Sequence, residues 1–145
     1  MSLSLRIDLA PRGKERPRTA RGRRGVYTPT ATLEWERAAE MQLRRQLADA
    51  GLTEPMEGAL EVAILAVLPR PQSLPRVRNA GRRWAPVKPD MDNVEKCVWD
   101  ALVNARAMVD DGQIVSSAAR KVYAAHGEAA HVEITIAPVA ALEVA

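Results

Sequence analysis

Leu3, Leu5, Ile7 and Leu9 alternate with polar residues, the period-two pattern of a half-buried strand. From Pro29 the period changes. Trp35, Ala39, Leu43 and Leu47 recur every four positions with Ala38 alongside, the stripe of an amphipathic helix running to about Ala50. Thr28 and Pro29 suit its N-cap and first position, and Gly51 suits a left-handed stop. Gly58 to Leu68 is nearly all apolar, which predicts a central, well-covered strand. Val94, Cys97, Val98, Ala101, Leu102 and Ala105 form the core stripe of a second helix that starts after Asp92. Cys97 falls on that stripe, so it reads as packing. The chain then turns through Asp110-Asp111-Gly112 into Ile114-Val115. Strands near 118–125 and 131–136 follow, expected as a hairpin around His126-Gly127-Glu128. His126 reads as a turn residue and His131 as a strand residue.

Two stretches carry no periodicity. Residues 11–25 hold three Gly and two Pro, and 69–89 hold five Pro. Both are expected to be mobile loops. Trp84, in the second, can stack on a base or ribose, or anchor the loop to the body. The pattern therefore gives one domain over 1–145 with two main helices and about four strands. The longest apolar run, Leu60–Leu68, is interrupted by Glu61 and is too short to span a bilayer. The start of the chain lacks a signal-peptide core, and a single cysteine suits a reducing compartment, so a cytoplasmic protein is expected. Three Trp, two Tyr and no Phe leave the core to aliphatic residues.

Charge changes this picture. The net charge is only +3, yet residues 12–24 carry +6 and residues 70–88 another +6, leaving the rest of the chain at −9. Two basic arms on an acidic body suit a polyanionic partner, although two solvated loops would look the same. Lys14, Arg16, Arg18, Arg21, Arg23 and Arg24 in the first arm are candidates for DNA phosphates, as are Arg76, Arg78, Arg82, Arg83 and Lys88 in the second.

The acids cluster where these loops end. Asp90 and Asp92 stand at the mouth of the second helix, and Asp110 and Asp111 stand beyond its far end. Each has an ordinary reading. Asp92 with Glu95 matches a capping box, Asp90 favours the helix dipole, Asp92 and Lys96 are an i, i+4 pair, and Asp-Asp-Gly is turn chemistry. Together they present carboxylates that would repel phosphate unless a cation stood between. A divalent metal held by the acids, facing a phosphodiester, resolves the conflict.

Lys88-Pro-Asp-Met-Asp-Asn-Val-Glu-Lys-Cys-Val-Trp-Asp-Ala-Leu102, followed by Val109-Asp-Asp-Gly-Gln-Ile-Val115, resembles the RusA family of Holliday junction resolvases. Lys14-Glu-Arg-Pro-Arg-Thr19 and Val26-Tyr-Thr-Pro29 resemble that family's N-terminal stretch. The family's Gly at the helix exit is absent, and Val103-Asn-Ala-Arg106 stands there instead. The resemblance implies a small α/β (α+β) protein with a mixed sheet, acting as a homodimer. Its metal acids map onto Asp90, Asp92 and Asp111, and its catalytic lysine onto Lys96. Asp110 is an accessory neighbour that spacing cannot separate from Asp111, and Asn93 and Asp100 are supporting candidates. The activity implied is nicking of four-way junctions with Mg²⁺, for which Mn²⁺ can substitute. A fork or flap nuclease of phage origin, and a non-catalytic nucleic-acid module, are the alternatives.

Overall fold

The computed structural model describes residues 1–14, 30–77 and 79–140, with backbone alone at 18–19 and 26–27. The expected cap Thr28-Pro29, the side chains of Arg16, Arg18, Arg21, Arg23, Arg24 and Arg78, and the tail beyond 140 lie outside the described residues.

The elements in chain order are β1 (Leu3–Ile7), β2 (Arg18–Thr19), β3 (Val26–Tyr27), α1 (Thr30–Asp49), β4 (Leu60–Leu68), β5 (Arg83–Trp84), α2 (Met91–Asn104), a 3₁₀ turn (Asp111–Gln113), β6 (Ile114–Tyr123) and β7 (His131–Pro138). β2 and β3 form a small antiparallel ribbon. The other five strands make one mixed sheet in the order β1-β7-β4-β6-β5. β4 runs parallel to β6 and antiparallel to β7. The result is a single compact α+β domain with two helices and one strand more than the pattern implied.

α1 buries Thr32, Trp35, Ala39, Leu43 and Leu47, and Gly51 stops it at φ +80°. α2 buries Val94, Cys97, Val98, Ala101 and Leu102. Both stripes meet Val62, Ile64 and Ala66 of β4 and Val132, Ile134 and Ile136 of β7 in one core. Burial pushes the Cys97 thiol up to about 12, which fits a packing role.

The structure corrects three expectations. β6 and β7 are not a hairpin, because β4 lies between them. β4 is the most apolar strand, and the central place lets it pair along both edges. β4 is fully covered on one face and only partly on the other, where Val67 is buried with Val122 and Ala124. Ala63 is exposed and Leu65 half-buried on the side away from the helices. Finally, α2 begins at Met91, so Asp92 lies inside the first turn and makes no capping box with Glu95.

Candidate active site

Asp90 takes the N-cap position of α2 with extended backbone, but its side chain caps nothing. It accepts a hydrogen bond from the Lys88 ammonium at 2.7 Å instead. That bond holds its carboxyl below the usual range, with a smaller push from Lys121. Asp92 is exposed within the first turn, and its Oδ1 accepts the Asn93 backbone N–H at 2.9 Å. Both carboxylates stand at the positive end of the helix, where negative charge is favoured. Lys96 is exposed one turn further on and has no ion-pair partner among the described residues.

Two fasteners hold the segment that delivers Asp90. From below, Lys121 of β6 donates to the carbonyls of Val87 and Pro89, the latter at 2.8 Å. The Ala85 N–H reaches back to the Lys121 carbonyl at 3.2 Å. From the side, the root of the first basic arm lies against α2. The Lys14 N–H donates to the Asn93 carbonyl at 3.0 Å. Gly13 is pressed against Pro89, whose peptide bond with Lys88 is cis. Arg12 bonds the buried Thr32 hydroxyl, and Trp35 Nε1 donates to the Ala10 carbonyl at 2.9 Å. Between arm and loop opens a cleft of about 440 Å³, walled by Arg12, Lys14, Lys88, Asp90 and Asn93 among others.

Several cations expected to be free for DNA are engaged within the chain. The Lys14 ammonium lies 2.7 Å from Glu36 and 3.0 Å from Asp100, bridging both helices. Burial alone would lower its pKa, but the bonds to Glu36 and Asp100 outweigh this and raise it. Asp100 is thereby committed to Lys14 rather than to Lys96. Arg82 makes a two-pronged pair with Glu128 at 2.6 and 2.9 Å and also reaches Glu133 at 3.1 Å. Glu133 in turn accepts from the buried His131 ring at 2.9 Å. Arg76 and Arg83 are exposed.

The second acidic pair divides cleanly. Asp110 caps the 3₁₀ turn, its Oδ2 accepting the Gly112 N–H at 2.8 Å. Gln113 completes the turn by accepting from Val109 and Asp110 while donating to Met56 and Gly58. Asp111 is exposed and takes no part in the cap. Turn chemistry thus claims Asp110 and leaves Asp111.

Within one chain, however, Asp111 does not join Asp90 and Asp92. The 14 residues of α2 separate them by roughly 21 Å along the helix. Seven steps of β6, from Ile114 beside Asp111 to Lys121 beneath Pro89, span roughly 23 Å in the same sense. Among the described residues no three His, Cys, Asp or Glu side chains are grouped to hold a metal ion. The sequence expectation assigns Asp90, Asp92 and Asp111 to one or two Mg²⁺ ions; the fold of one chain brings Asp90 and Asp92 together and sets Asp111 apart from them.

Lys121, Glu36 and Gly13 escaped the sequence reading. Lys121 left a signal: a lysine at a helix-facing position of β6, in register with Ala66, must carry its charge to some polar group. Glu36 and Gly13 left none, because only the fold brings them to Lys14 and Pro89.

A protein-family model described as Endodeoxyribonuclease RusA matches residues 8–137 of the 145. Among curated proteins, none is similar enough to match. Among the described residues, no helix is long and apolar enough to cross a membrane.

Proposed function

The chain belongs to the RusA family of endodeoxyribonucleases, enzymes that hydrolyse DNA, and on that premise we propose that it resolves four-way Holliday junctions by paired nicks. It works as a Mg²⁺-dependent homodimer in recombination and repair, in the cytoplasm of a bacterium or of a phage's host. The observation that carries this reading is the state of Asp90 and Asp92. Asp90 stands exposed at the lip of a cleft flanked by lysines and caps nothing, and Asp92 is exposed two residues further on, with one carboxylate oxygen on the Asn93 N–H. A binding module whose acids were only caps would show the arrangement of Asp110, not of Asp90.

The donor set fits a hard divalent cation. Carboxylate oxygens are its preferred ligands, and the Lys88 contact lowers the Asp90 pKa and so favours its ionised form. Asp90 and Asp92 would hold the ion, which when bound supplies a polarised phosphate and an activated water. The chain's own groups do the rest. Lys96 offers its exposed ammonium to the phosphate oxygens as charge develops. Lys88 keeps the lip of the cleft attractive to phosphate between turnovers. Arg76, Arg83 and the first arm neutralise backbone phosphates, so recognition is of shape more than of sequence.

Cleavage of a synthetic four-way junction with Mg²⁺, and its loss in EDTA, is the direct test. A panel of labelled forks and flaps beside the junction reads substrate preference. Faster cutting of a fork or flap than of the junction would move the assignment to that branch.

A further inference from the structure

The second basic loop, expected to be mobile, is clasped shut by one arginine. Arg70 Nε and Nη2 donate to the Pro75 carbonyl at 3.2 and 2.9 Å. Its Nη1 donates to the carbonyls of Gly81 and Ala124, both at 3.0 Å. Four of the five guanidinium N–H groups are thus spent on backbone, folding residues 71–81 back on themselves and onto the end of β6. Arg82 adds its bonds to Glu128 and Glu133, and the His126 N–H reaches the Ala80 carbonyl at 3.0 Å.

Fixed in this way, the loop and the turn between β6 and β7 wall a cleft of about 400 Å³. Gln72, Arg76 and His126 line it, each is exposed, and among the described residues their side chains have no partner. Glu128 is the only acid among the described lining residues, and its charge is already matched. Arg82 holds both of its oxygens, and the Ala125 N–H adds a third bond. Arg70, by contrast, is bonded to carbonyls, so no acid cancels its charge. Positive charge, unused donors and a fixed concave wall are what an oxyanion needs.

We propose that this cleft seats one backbone phosphate of bound DNA, apart from the phosphate that is cut, with the Arg76 guanidinium and the His126 ring as its donors. The inference rests on the nuclease reading above and adds a second point at which the substrate is held. Lys121 carries the Pro89 carbonyl beside Asp90, and the chain from Lys121 to His126 spans at most roughly 18 Å. One helical turn of duplex is about 34 Å long, so a single arm can touch the seat and the Asp90 carboxylate together. The second contact sets the direction of that arm, and hence which phosphate arrives at the cutting site, without reading its sequence. A loop already closed by Arg70 gives up little freedom when the phosphate enters.

Binding measured without Mg²⁺ tests the seat independently of cutting. The phosphates along one arm of a four-way junction are replaced one at a time by uncharged methylphosphonate, and each junction is titrated with the full chain in a mobility-shift assay. Besides the phosphates at the cutting site, one position within about a turn of it should weaken binding about tenfold. Arg76→Ala should bind the unmodified junction about tenfold more weakly and lose its sensitivity at that position alone, with circular dichroism and melting temperature as in wild type. Its slope of log K against log salt should fall by about 0.9. His126→Ala should blunt the same position to a smaller degree. The His126 ring resonances should move when junction is added and stay in place in millimolar inorganic phosphate. A ring that answers to inorganic phosphate and not to DNA assigns the cleft to the free anion and overturns the backbone seat. A scan with the same sensitive positions in wild type and Arg76→Ala overturns it as well, while leaving the nuclease reading intact. A protein that binds no branched DNA overturns that reading and the seat together.

Discussion

Gly13 and Pro89 approach so closely that no side chain fits between them. A Cβ added at Gly13 would lie 2.9 Å from the Pro89 Cβ and 3.3 Å from that of Asn93. Gly13→Ala should therefore push the arm root off the mouth of α2 and break the bond from the Lys14 N–H to Asn93. Overpacking of this kind costs about 1–3 kcal/mol, and in a chain of this size the melting temperature falls roughly 2–4 °C per kcal/mol. Calorimetry beside junction cleavage checks it. An unchanged melting temperature would mean that the arm has slack.

The carboxylates should separate chemistry from stability. Because Asp90 makes no side-chain cap, and the amide oxygen of an Asn at 92 can still accept the Asn93 N–H that Asp92 accepts, Asp90→Asn and Asp92→Asn should melt within about 0.5 kcal/mol of wild type. Cleavage should vanish while junction affinity holds or rises, since each change removes a negative charge facing phosphate. Gel cleavage and a mobility-shift titration on the same samples read both. Retained Mg²⁺-dependent cutting would remove these residues from the metal.

Lys88 sets the acid side of the pH profile. Its contact lowers the Asp90 pKa, so the carboxylate stays charged further into acid than an isolated aspartate. In Lys88→Met that pKa should rise toward the ordinary value, and activity should begin to fail at a higher pH on acidification. Superimposable acid limbs in the two proteins would refute the coupling.

Lysines and arginines near the arm should behave in two different ways. Neutralising Arg16, Arg18, Arg23 and Arg24 should reduce the slope of log K against log salt by about 0.9 per lost phosphate contact. Lys14→Met should leave that slope alone and lower stability instead, because its ammonium is bound to Glu36 and Asp100. The raised pKa of Lys14 makes its contribution fully present below its ordinary value, 10.5, and lost as alkali carries the pH through the folded value.

This division marks where the sequence stopped being readable. The stripes of α1 and α2, the runs of β4 and β7 and the stop at Gly51 were all legible, since local periodicity decides them. The partners of Lys14 and Arg82 were not. Glu36 is 22 residues from Lys14, and Glu128 is 46 from Arg82, so only the fold decides those contacts. The pairing of β6 failed for the same reason, because proximity along the chain favoured β7 while burial favoured β4. At the site, motif order named the acids, but the separation of Asp111 from Asp90 depends on the run of α2 and β6 and could not be counted from spacing.

Lys121 is expected to act on Asp90 through the backbone. Lys121→Met frees the Val87 and Pro89 carbonyls and lets the Asp90 segment drift, and losing a positioning contact of this kind typically costs 10–100-fold in activity. The loss should fall on kcat with KM little changed, and Lys121→Arg should restore part of it. Equal losses in KM alone would assign Lys121 to DNA binding.

Acid should also loosen the second basic loop. The Arg82 contact brings Glu128 down to about 2 from 4.5, with help from the Ala125 N–H and His131. A depressed carboxyl stabilises the fold above its unfolded value and loses that contribution as the pH falls from about 4.5 toward about 2. Glu128→Gln should flatten the stability profile across that window in urea melts, and a profile as steep as wild type would place the acid sensitivity elsewhere.

β1 has one neighbour in the sheet, β7, so the first strand of the chain is paired by the last. During synthesis, residues 3–7 leave the ribosome more than a hundred residues before their partner does. Until then β1 has no edge to join, and the core face of β4 lacks Val132, Ile134 and Ile136. The core is thus left open until β7 has been made, and a polypeptide that stops before residue 131 lacks one side of it. The sheet therefore cannot close on its β1 side before β7 is available.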